Sequence, residues 1–488
     1  MKKLLVAAIV VLMASPAFAA IQNVKVSGDI QETYVDRNDF GLGTVSLFSH
    51  TPVGVSRQSD VLSQTRLRVD ADLSDNVSAT VRLINETAWG MAAGDNTYNG
   101  TNGLKGVDLD LAYVTLREFL YSPLTLTVGR QEFSFGNGLV IGAGGPNNGT
   151  SGHLAYVAGD LSEVDSYDGV KAVLDYKPLT LTAVYFNNGQ NNFTGAYDGV
   201  NQKTNSDVYG LNANYQLGDA YNTVVEGYLF ARINGSNTNS DTYIGKQGDK
   251  LYVPGLRAST NPIKGLNVQG EVAWQLGNRT VEGETVVNGA VTGVNGQYES
   301  EHRNAMAAQF LASYSLPVLE KYKPAVNAGF TYVSGDKNLN QNYSGDAVKS
   351  AKVDTAWDEF NKVQAGGTIY NALFPLTNMY IYSVGASAAP LEDVTAAFTW
   401  SDLIAADKFT PTNQLYLIQP NGSYALPVTS GKKNATGLGN EYDVNVNYAY
   451  TEDVSFGVNL GWFVSGSAFA SQNRNTASQA IADVAVKF

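Results

Sequence analysis

Cysteine is absent from this chain of 488 residues, which excludes both a disulfide framework and a thiolate metal site. Long apolar runs are missing too, since no stretch beyond the first residues approaches the ~20 apolar residues of a membrane-spanning helix. Basic residues are scarce, with 32 Lys and Arg against 45 Asp and Glu and a formal net charge of −13 at pH 7. This balance disfavours nucleic acid as a partner.

The first residues, Met1 to Ala19, have the pattern of an export signal. Two lysines give it a basic start, an apolar centre follows, and Ala17-Phe18-Ala19 resembles a cleavage site. We expect this segment to be removed. We expect residues 20–488 to form a single domain, because no linker rich in proline, serine or charge divides them.

Apolar and polar residues alternate most clearly between Glu441 and Phe463. An apolar or aromatic residue occupies every second position from Tyr442 to Tyr450 and again from Val454 to Trp462. The intervening Thr451-Glu452-Asp453 leaves room only for a tight turn. A period of two is typical of a β-strand with one apolar and one polar face, so this stretch predicts a long hairpin suited to a bilayer.

Comparable stretches recur along the whole chain, with short and long connections alternating between them. We count 18 strands, joined by eight short turns and nine long connections. Bacterial outer-membrane barrels have even strand numbers, short periplasmic turns and long extracellular loops, and they must close because hydrocarbon cannot satisfy an open sheet edge. The sequence therefore predicts an all-β fold, a transmembrane antiparallel β-barrel of about 18 strands in the Gram-negative outer membrane.

Charged residues predict which face of each strand points inward. In residues 61–73, Arg66 and Arg68 alternate with apolar side chains, and Arg82 and Glu86 do the same in the next strand. Arginine facing lipid at the bilayer midplane costs ~2–4 kcal/mol, so we place these side chains in the lumen. Four tryptophans near the long connections predict an aromatic girdle. They are Trp89, Trp274, Trp400 and Trp462.

Two positions break the pattern. Pro254 lies inside a strand and removes a donor from the ladder, so we expect a bulge there. We place the turn that joins this strand to the next one at Asn261-Pro262. Arg130 has the outward parity of Val128, and we expect a bulge near Gly129 that returns Arg130 to the lumen.

Several short motifs, in their order along the chain, resemble the alginate-export family of outer-membrane barrels. They are Gly129-Arg130-Gln131, Tyr167-Asp168-Gly169-Val170-Lys171, Leu373-Phe374-Pro375, and Phe456-Gly457 followed by Gly461-Trp462-Phe463 and Gly466. The resemblance extends over most of the mature chain and implies an 18-stranded barrel. It also implies that Arg130 and Lys171 are cations of the lumen wall, in a porin or in an exporter of an anionic polyuronate.

The arginines of the second and third strands allow two interpretations. Arg66, Arg68 and Arg82 form a track that guides anionic solutes, since a guanidinium is always charged and pairs with carboxylates. Alternatively, neighbouring carboxylates neutralise these arginines and only a transverse field remains. The candidates for that pairing are Asp70, Asp72 and Glu86.

Two long connections are candidates for closing the lumen. The glycine-rich residues 136–164 either fold inward as a constriction or lie outside as a flap. Residues 335–378 contain apolar side chains at helical spacing, which predicts a short amphipathic helix that either caps the pore or lies on the surface. These side chains are Val353, Ala356, Trp357, Phe360 and Val363.

The same connection begins like a calcium-binding loop, with Asp336, Asn338 and Asn340. Gln341 replaces the necessary glycine, however, and Ala347 stands where an acidic residue would close the loop. We predict no metal site and no cofactor.

Histidine occurs only three times, and none of the three lies beside a serine on an alternating strand. An enzyme built on a barrel needs a nucleophile and a base held together on rigid strands. The histidines are His50, His153 and His302. We therefore predict that the protein is not an enzyme.

Three functions fit the remaining observations. The first is a passive porin for hydrophilic solutes, including anionic sugar acids or polysaccharides. The second is a dedicated exporter of an anionic exopolysaccharide such as alginate. The third is a structural or adhesive outer-membrane protein with a lumen plugged by loops.

The expected partners follow from the predicted location. Outer-membrane lipid and lipopolysaccharide surround the barrel, and hydrophilic solutes pass through it. The last strand ends at Phe488, which has the outward parity of Val484 and Val486. A terminal aromatic residue in this position resembles the signal read by the barrel-assembly machinery.

Overall fold

The computed structural model describes 14 parts of the chain. They are residues 23–42, 57–90, 106–142, 158–164, 166–187, 206–234, 249–287, 290–336, 353–359, 367–408, 414–415, 428–429, 435–469 and 474–488. The predicted export signal lies outside these residues. Within them no helix is long and apolar enough to cross a membrane.

Eighteen long strands form one closed antiparallel β-barrel, as the sequence predicts. They are β1 (Asn23–Asn38), β2 (Arg57–Ser74), β3 (Val77–Ala88), β4 (Asp108–Leu116), β5 (Leu124–Gln131), β6 (Tyr167–Asp175), β7 (Leu179–Asn187), β8 (Ser206–Gln216), β9 (Val224–Asn234), β10 (Lys250–Ile263), β11 (Leu266–Val287), β12 (Ala290–Ser315), β13 (Ala325–Val333), β15 (Met379–Leu391), β16 (Val394–Ala405), β19 (Gly437–Ala449), β20 (Val454–Ser465) and β21 (Thr476–Lys487). Three two-residue strands lie in the connections between them, β14 (Val353–Asp354), β17 (Gln414–Leu415) and β18 (Val428–Thr429).

The ring closes where β1 pairs with β21. Short turns join the strands at one end of the barrel, which we call the short-turn end, and long connections join them at the opposite, long-loop end. At the seam, Gly28 and Phe488 exchange two backbone hydrogen bonds of 2.9 Å each. A Cβ at Gly28 would lie 2.6 Å from the Phe488 ring, so glycine makes room for the terminal aromatic side chain.

The hairpin of β10 and β11 differs from the sequence prediction in two respects. The bulge expected at Pro254 is wrong, because Tyr252 pairs with Leu276 and Gly255 with Ala273 in one unbroken register. Pro254 removes one donor without inserting a residue. The register shifts instead after Thr260, and β10 continues to Ile263, so the turn lies at 264–265 and not at 261–262.

Alternation along each strand separates an outward from an inward face. In β20, Val458 is 43% exposed on the outward face, while Phe463 on the inward face is fully buried. The predicted girdle tryptophans lie outward, with exposed fractions of 64% for Trp89 and 40% for Trp462. The outer wall is therefore apolar and accessible, as lipid contact requires.

The interior of the long-loop half contains an apolar core, which the alternation did not predict. Inward side chains of the wall pack against segments that fold into the lumen from the long connections. The wall contributes Phe186, Phe230, Leu251, Val253 and Phe463, and the connections contribute Leu42, Leu139, Ile141, Trp357, Leu373 and Phe469. Polar residues line the inner wall mainly toward the short-turn end.

We predict that Val458→Arg destabilises the folded barrel by about 2–4 kcal/mol, because the guanidinium would face lipid near mid-strand. Asn459→Arg, the matched control, places the same charge one residue away on the inward face. Urea titrations of both variants in lipid vesicles measure the difference. Equal stability of the two variants would contradict the assignment of faces.

Candidate functional site

The connection between β5 and β6 folds into the lumen, and its second half is fixed to β1–β3. The carboxylate of Glu86 accepts hydrogen bonds from Ser162 Oγ at 2.8 Å and from the Glu163 backbone N–H at 2.7 Å. Gln64 Nε2 donates to the same carboxylate at 2.8 Å, and Asp160 forms a buried ion pair with Arg37. Glu86 therefore anchors this segment.

The first half of the same connection crosses to the opposite wall. The backbone N–H groups of Gly136 and Asn137 donate to Glu226 and Glu271, each at 3.2 Å. Asn137 Oδ1 accepts a hydrogen bond from Arg257 Nε at 2.9 Å. Of the two alternatives for residues 136–164, the described parts thus form an inward constriction.

A cavity of about 460 Å³ lies between this constriction and strands β6–β10. It is lined by Phe133, Ser134, Phe135, Gly136, Lys171, Val173, Thr180, Thr182, Asn212, Asn214, Glu226 and Arg257. Thr180, Asn214 and Glu226 each lie within a few residues of a short turn, so the cavity is on the short-turn side of the constriction. Its lining is mostly polar, with three charged side chains.

The three charged groups of the cavity differ in what they contact. Arg257 is bound by Glu226 at 3.3 Å and by Gln269 Oε1 at 2.7 Å. The Lys171 ammonium lies 5.9 Å from the centroid of the Phe133 ring, and it has no ion pair within 4 Å among the described residues. Lys171 is therefore the cation that a solute in this cavity meets.

The predicted arginines Arg66, Arg68 and Arg82 point into the lumen, and each contacts a carboxylate. Arg66 binds Asp29 at 2.9 Å and Glu163 at 3.1 Å. Arg68 binds Asp70 at 2.7 Å, one of the pairs considered from the sequence. Arg82 binds two further acids, Asp110 and Glu132. Glu86 also faces inward, but it holds the loop and does not pair with an arginine.

Asp110 reaches Arg82 because of a β-bulge. The register between β3 and β4 shifts after the pair Arg82–Leu111, which leaves Asp110 as the extra residue. Both Asp110 and Leu111 are consequently buried on the inward face. Alternation alone gave no sign of this shift.

The expected bulge near Gly129 is wrong, and Arg130 does not return to the lumen. The pairings of β5 with β4 and β6 run through Gly129 and Arg130 without a register shift. Arg130 stays on the outward face, where Asp168, its partner on β6, is 3.6 Å away and 74% exposed. This pair lies at the long-loop end, beyond the midplane, where a charge on the outer wall costs less.

The described residues 353–359 of the connection between β13 and β15 also enter the lumen, and they do not form the helix predicted from residues 353–363. Val353 and Asp354 form a two-residue strand parallel to β12, and Trp357 is 2% exposed. Phe360 and Val363 lie outside the described residues. Asp336 is the first residue of the calcium-like pattern and accepts a hydrogen bond from the Thr355 N–H at 3.3 Å. The remaining residues of that pattern also lie outside the described residues.

A short helix occurs later in this connection, at Tyr370–Leu373. The carboxylate of Glu441 accepts hydrogen bonds from the backbone N–H groups of Thr368, Ile369 and Tyr370 at 2.6–2.9 Å. The helix is packed inside the barrel, since Tyr370 is 2% exposed and Leu373 is fully buried. The sequence prediction put the helix of this connection at residues 353–363 and missed this segment.

Sequence reasoning also missed four inward arginines. They are Arg232, Arg257, Arg279 and Arg303. They share the inward parity of buried apolar residues such as Phe230 and Val253, so hydropathy could not distinguish the two faces there. None of these four strands has an arginine at an outward position. That difference between the two faces was the signal available in the sequence.

The closed barrel, its inward loops and its polar cavity define an outer-membrane β-barrel of the porin type. A family model described as alginate export matches residues 23–483. The chain belongs to the alginate-export family, as the motifs indicated. Comparison with curated proteins gives no match.

Solved outer-membrane proteins share the fold. The chain is 12% identical to OccK8 (OprE) of Pseudomonas aeruginosa, with a TM-score of 0.53 over 96% of this chain and 98% of that one. It is 10% identical to P. aeruginosa OpdK, crystallised with vanillate, with a TM-score of 0.52 over 96% and 99%. For OccAB1 of Acinetobacter baumannii the values are 10%, 0.54, 97% and 99%.

We predict that Glu86→Ala loosens the constriction, because three donors lose their common acceptor and each unsatisfied group costs about 1–3 kcal/mol. Limited proteolysis of the folded barrel should cut the β5–β6 connection faster in this variant. The matched control is Asp72→Ala, which removes an inward carboxylate with no hydrogen bond or ion pair among the described residues. Equal cleavage of the two variants would contradict the anchor.

Proposed function

We propose that the protein is a passive porin that passes small hydrophilic solutes and favours those with a carboxylate, such as sugar acids. The observation that carries this proposal is the cavity beside the β5–β6 constriction, in which Lys171 makes no ion pair with any described residue. A barrel of this strand number is wide enough for an aqueous channel unless loops fill it. The constriction therefore determines the route of a solute through the lumen.

The lining of the cavity fits a hydrophilic solute. Thr180, Thr182, Asn212 and Asn214 offer hydroxyl and amide groups on adjacent strands. The ring of Phe133 packs beside the cation, with its centroid 5.9 Å from Lys171 Nζ. A hydroxylated carboxylate could exchange its hydration shell for these groups, which is how channel linings select solutes.

In this proposal the arginines of the lumen wall act as a secondary element. Arg66, Arg68 and Arg82 are all paired with carboxylates, so their charge is largely balanced. They set a transverse field along the wall, with Glu86 positioning the loop beside them. Arg130 faces outward and has no role in the solute path.

Two alternatives have support of their own. Membership of the alginate-export family favours export of an anionic exopolysaccharide such as alginate. The apolar core in the long-loop half favours a structural protein with a plugged lumen. Swelling of vesicles that contain the protein distinguishes the three functions. A porin admits only small sugars and sugar acids, whereas an exporter of long chains also admits larger saccharides. A plugged barrel admits no saccharide of either size.

We further propose that the outward aromatic wall contacts outer-membrane lipid and lipopolysaccharide. We also propose that the barrel-assembly machinery binds the last strand at Phe488, and the 60% exposure of this side chain at the barrel seam supports that proposal.

We predict that Lys171→Gln shifts the reversal potential of the channel toward cations under a salt gradient, because the cavity loses its unpaired positive charge. Arg130→Gln is the matched control. It removes one positive charge from the neighbouring strand, but on the outward face, and should leave the reversal potential unchanged. Planar-bilayer recordings of both variants measure the difference.

Two results would contradict this assignment. Equal reversal potentials for Lys171→Gln and the unaltered protein would mean that solutes bypass the cavity. A shift in Arg130→Gln as large as that in Lys171→Gln would mean that any change in net charge has this effect.

A further inference from the structure

The outer face of β1, β2 and β3 departs from the apolar pattern of the rest of the wall. On the other strands that carry a girdle tryptophan, the next outward residue toward the short-turn end is apolar. These residues are Val272 beside Trp274, Phe398 beside Trp400 and Leu460 beside Trp462. Beside Trp89 the corresponding residue is Thr87. Thr87 pairs with Ser63 of β2, which pairs in turn with Glu32 of β1.

The row of Glu32, Ser63 and Thr87, which we call the polar row, lies inside the apolar band of the wall. The row on its long-loop side is aromatic, because Val61 pairs with Tyr34 and its carbonyl accepts the Trp89 N–H at 2.8 Å. Aromatic girdles mark the boundary of the hydrocarbon. The polar row is therefore on the lipid side of that boundary, where lipid contact requires apolar side chains.

The carboxylate of Glu32 is the charged group of the polar row. Its Oε2 accepts hydrogen bonds from Ser63 Oγ at 2.5 Å and from Trp89 Nε1 at 3.2 Å. Among the described residues, its Oε1 accepts none and no cation lies within 4 Å. An ionisable side chain at this depth is costly when it faces lipid and is a functional-site hypothesis by default.

Hydrogen-bond donors lie beside this acceptor on the same outer face. Thr65, the outward residue of β2 that follows Ser63, is exposed and makes no side-chain hydrogen bond to the described residues. Thr87 Oγ1 donates only to the Ala88 carbonyl, at 3.4 Å. Thr65 and the polar row together form what we call the polar patch. It offers donors and an acceptor that hydrocarbon cannot use.

Oppositely charged groups lie on the same strands toward the long-loop end. Arg57 and Asp36 both face outward, and 3.5 Å separates Arg57 Nη2 from Asp36 Oδ2. The Arg57 side chain is 74% exposed, so it is accessible to a carboxylate of another molecule. This face thus carries both halves of an ion pair and both halves of a hydrogen bond. Such a surface is complementary to itself across a two-fold axis.

The next strand around the ring leaves space for a close approach. The outward residues of β21 that pair with Tyr34 and Asp36 are Ala482 and Ala480. Small side chains allow two backbones to come close within a membrane. A second barrel can therefore approach the polar patch without a bulky side chain of β21 between them.

We propose that the outer face of β1–β3 binds a second copy of this chain within the bilayer. In this two-fold contact the Glu32 carboxylate of each copy accepts a hydrogen bond from Thr65 of the other, and Arg57 of each copy lies beside Asp36 of the other. The inference concerns only the outer wall and does not depend on the proposed channel function.

Cross-linking in lipid vesicles tests the contact. Because the chain has no cysteine, Leu67→Cys supplies a single outward thiol next to Thr65. The matched control is Leu256→Cys, which places an outward thiol on β10, on the other side of the ring. With a short bis-maleimide and lipid in large excess, we expect covalent dimers from Leu67→Cys and almost none from Leu256→Cys.

A second substitution tests the role of the carboxylate. Adding Glu32→Leu to Leu67→Cys should lower the dimer fraction about tenfold or more, because two charge-assisted hydrogen bonds are lost from each dimer. Asp402→Leu removes an outward carboxylate of β16, outside the polar patch, and should leave the dimer fraction unchanged. Heat-modifiable migration on a gel verifies that each variant is folded.

Three results would overturn the proposal. Equal cross-linking of Leu67→Cys and Leu256→Cys would mean that the barrels only collide at random. A dimer fraction that Glu32→Leu leaves unchanged would mean that the polar patch does not form the contact. Loss of the dimer when lipopolysaccharide is added to phosphatidylcholine vesicles would mean that the patch binds that lipid and not a second copy.

Discussion

Inside hydrocarbon, every backbone N–H and C=O must find a partner within the protein, and the other features of this barrel depend on that constraint. The pairing of β1 with β21 removes the last free edge. Eighteen strands then form a ring whose outer face meets lipid and whose inner face does not. Lipid imposes the regular alternation only on the outer face, and the inner face is free to vary along the barrel axis.

The inner face varies along the barrel axis in two ways. In the long-loop half, segments of the long connections enter the lumen and bury apolar wall residues such as Phe230 and Val253. Toward the short-turn end the wall stays polar, and a cavity remains beside the constriction. Wall carboxylates fix the inserted segments, with Glu86 holding the β5–β6 connection and Glu441 the β13–β15 connection. Glu226 and Glu271 likewise accept hydrogen bonds from the β5–β6 connection, so these four wall carboxylates position loops.

How far the sequence predicted the structure depends on which face was involved. Strand number followed from the alternation and the lengths of the connections, and closure from the need to pair every backbone group in hydrocarbon. The inward positions of Arg66 and Arg82 followed from the penalty for charge in lipid. Arg130 was misplaced because it lies at the end of its strand, where that penalty is small. The helix predicted around Trp357 is not formed by residues 353–359, where Val353 and Asp354 pair with β12 as a short strand and Trp357 packs in the apolar core. Hydropathy could not identify which acids pair with the arginines, or that Lys171 has no ion pair among the described residues, since ion pairs depend on register and on inserted loops.

The proposed porin function requires a continuous aqueous path past the constriction. The most direct measurement is the ion current through the refolded, unaltered protein in a planar bilayer, with heat-modifiable migration as proof of folding. The account predicts steady openings of small conductance, limited by a cavity of about 460 Å³. Silence from a folded barrel would contradict it, because the apolar core of the lumen would then extend across the whole pore.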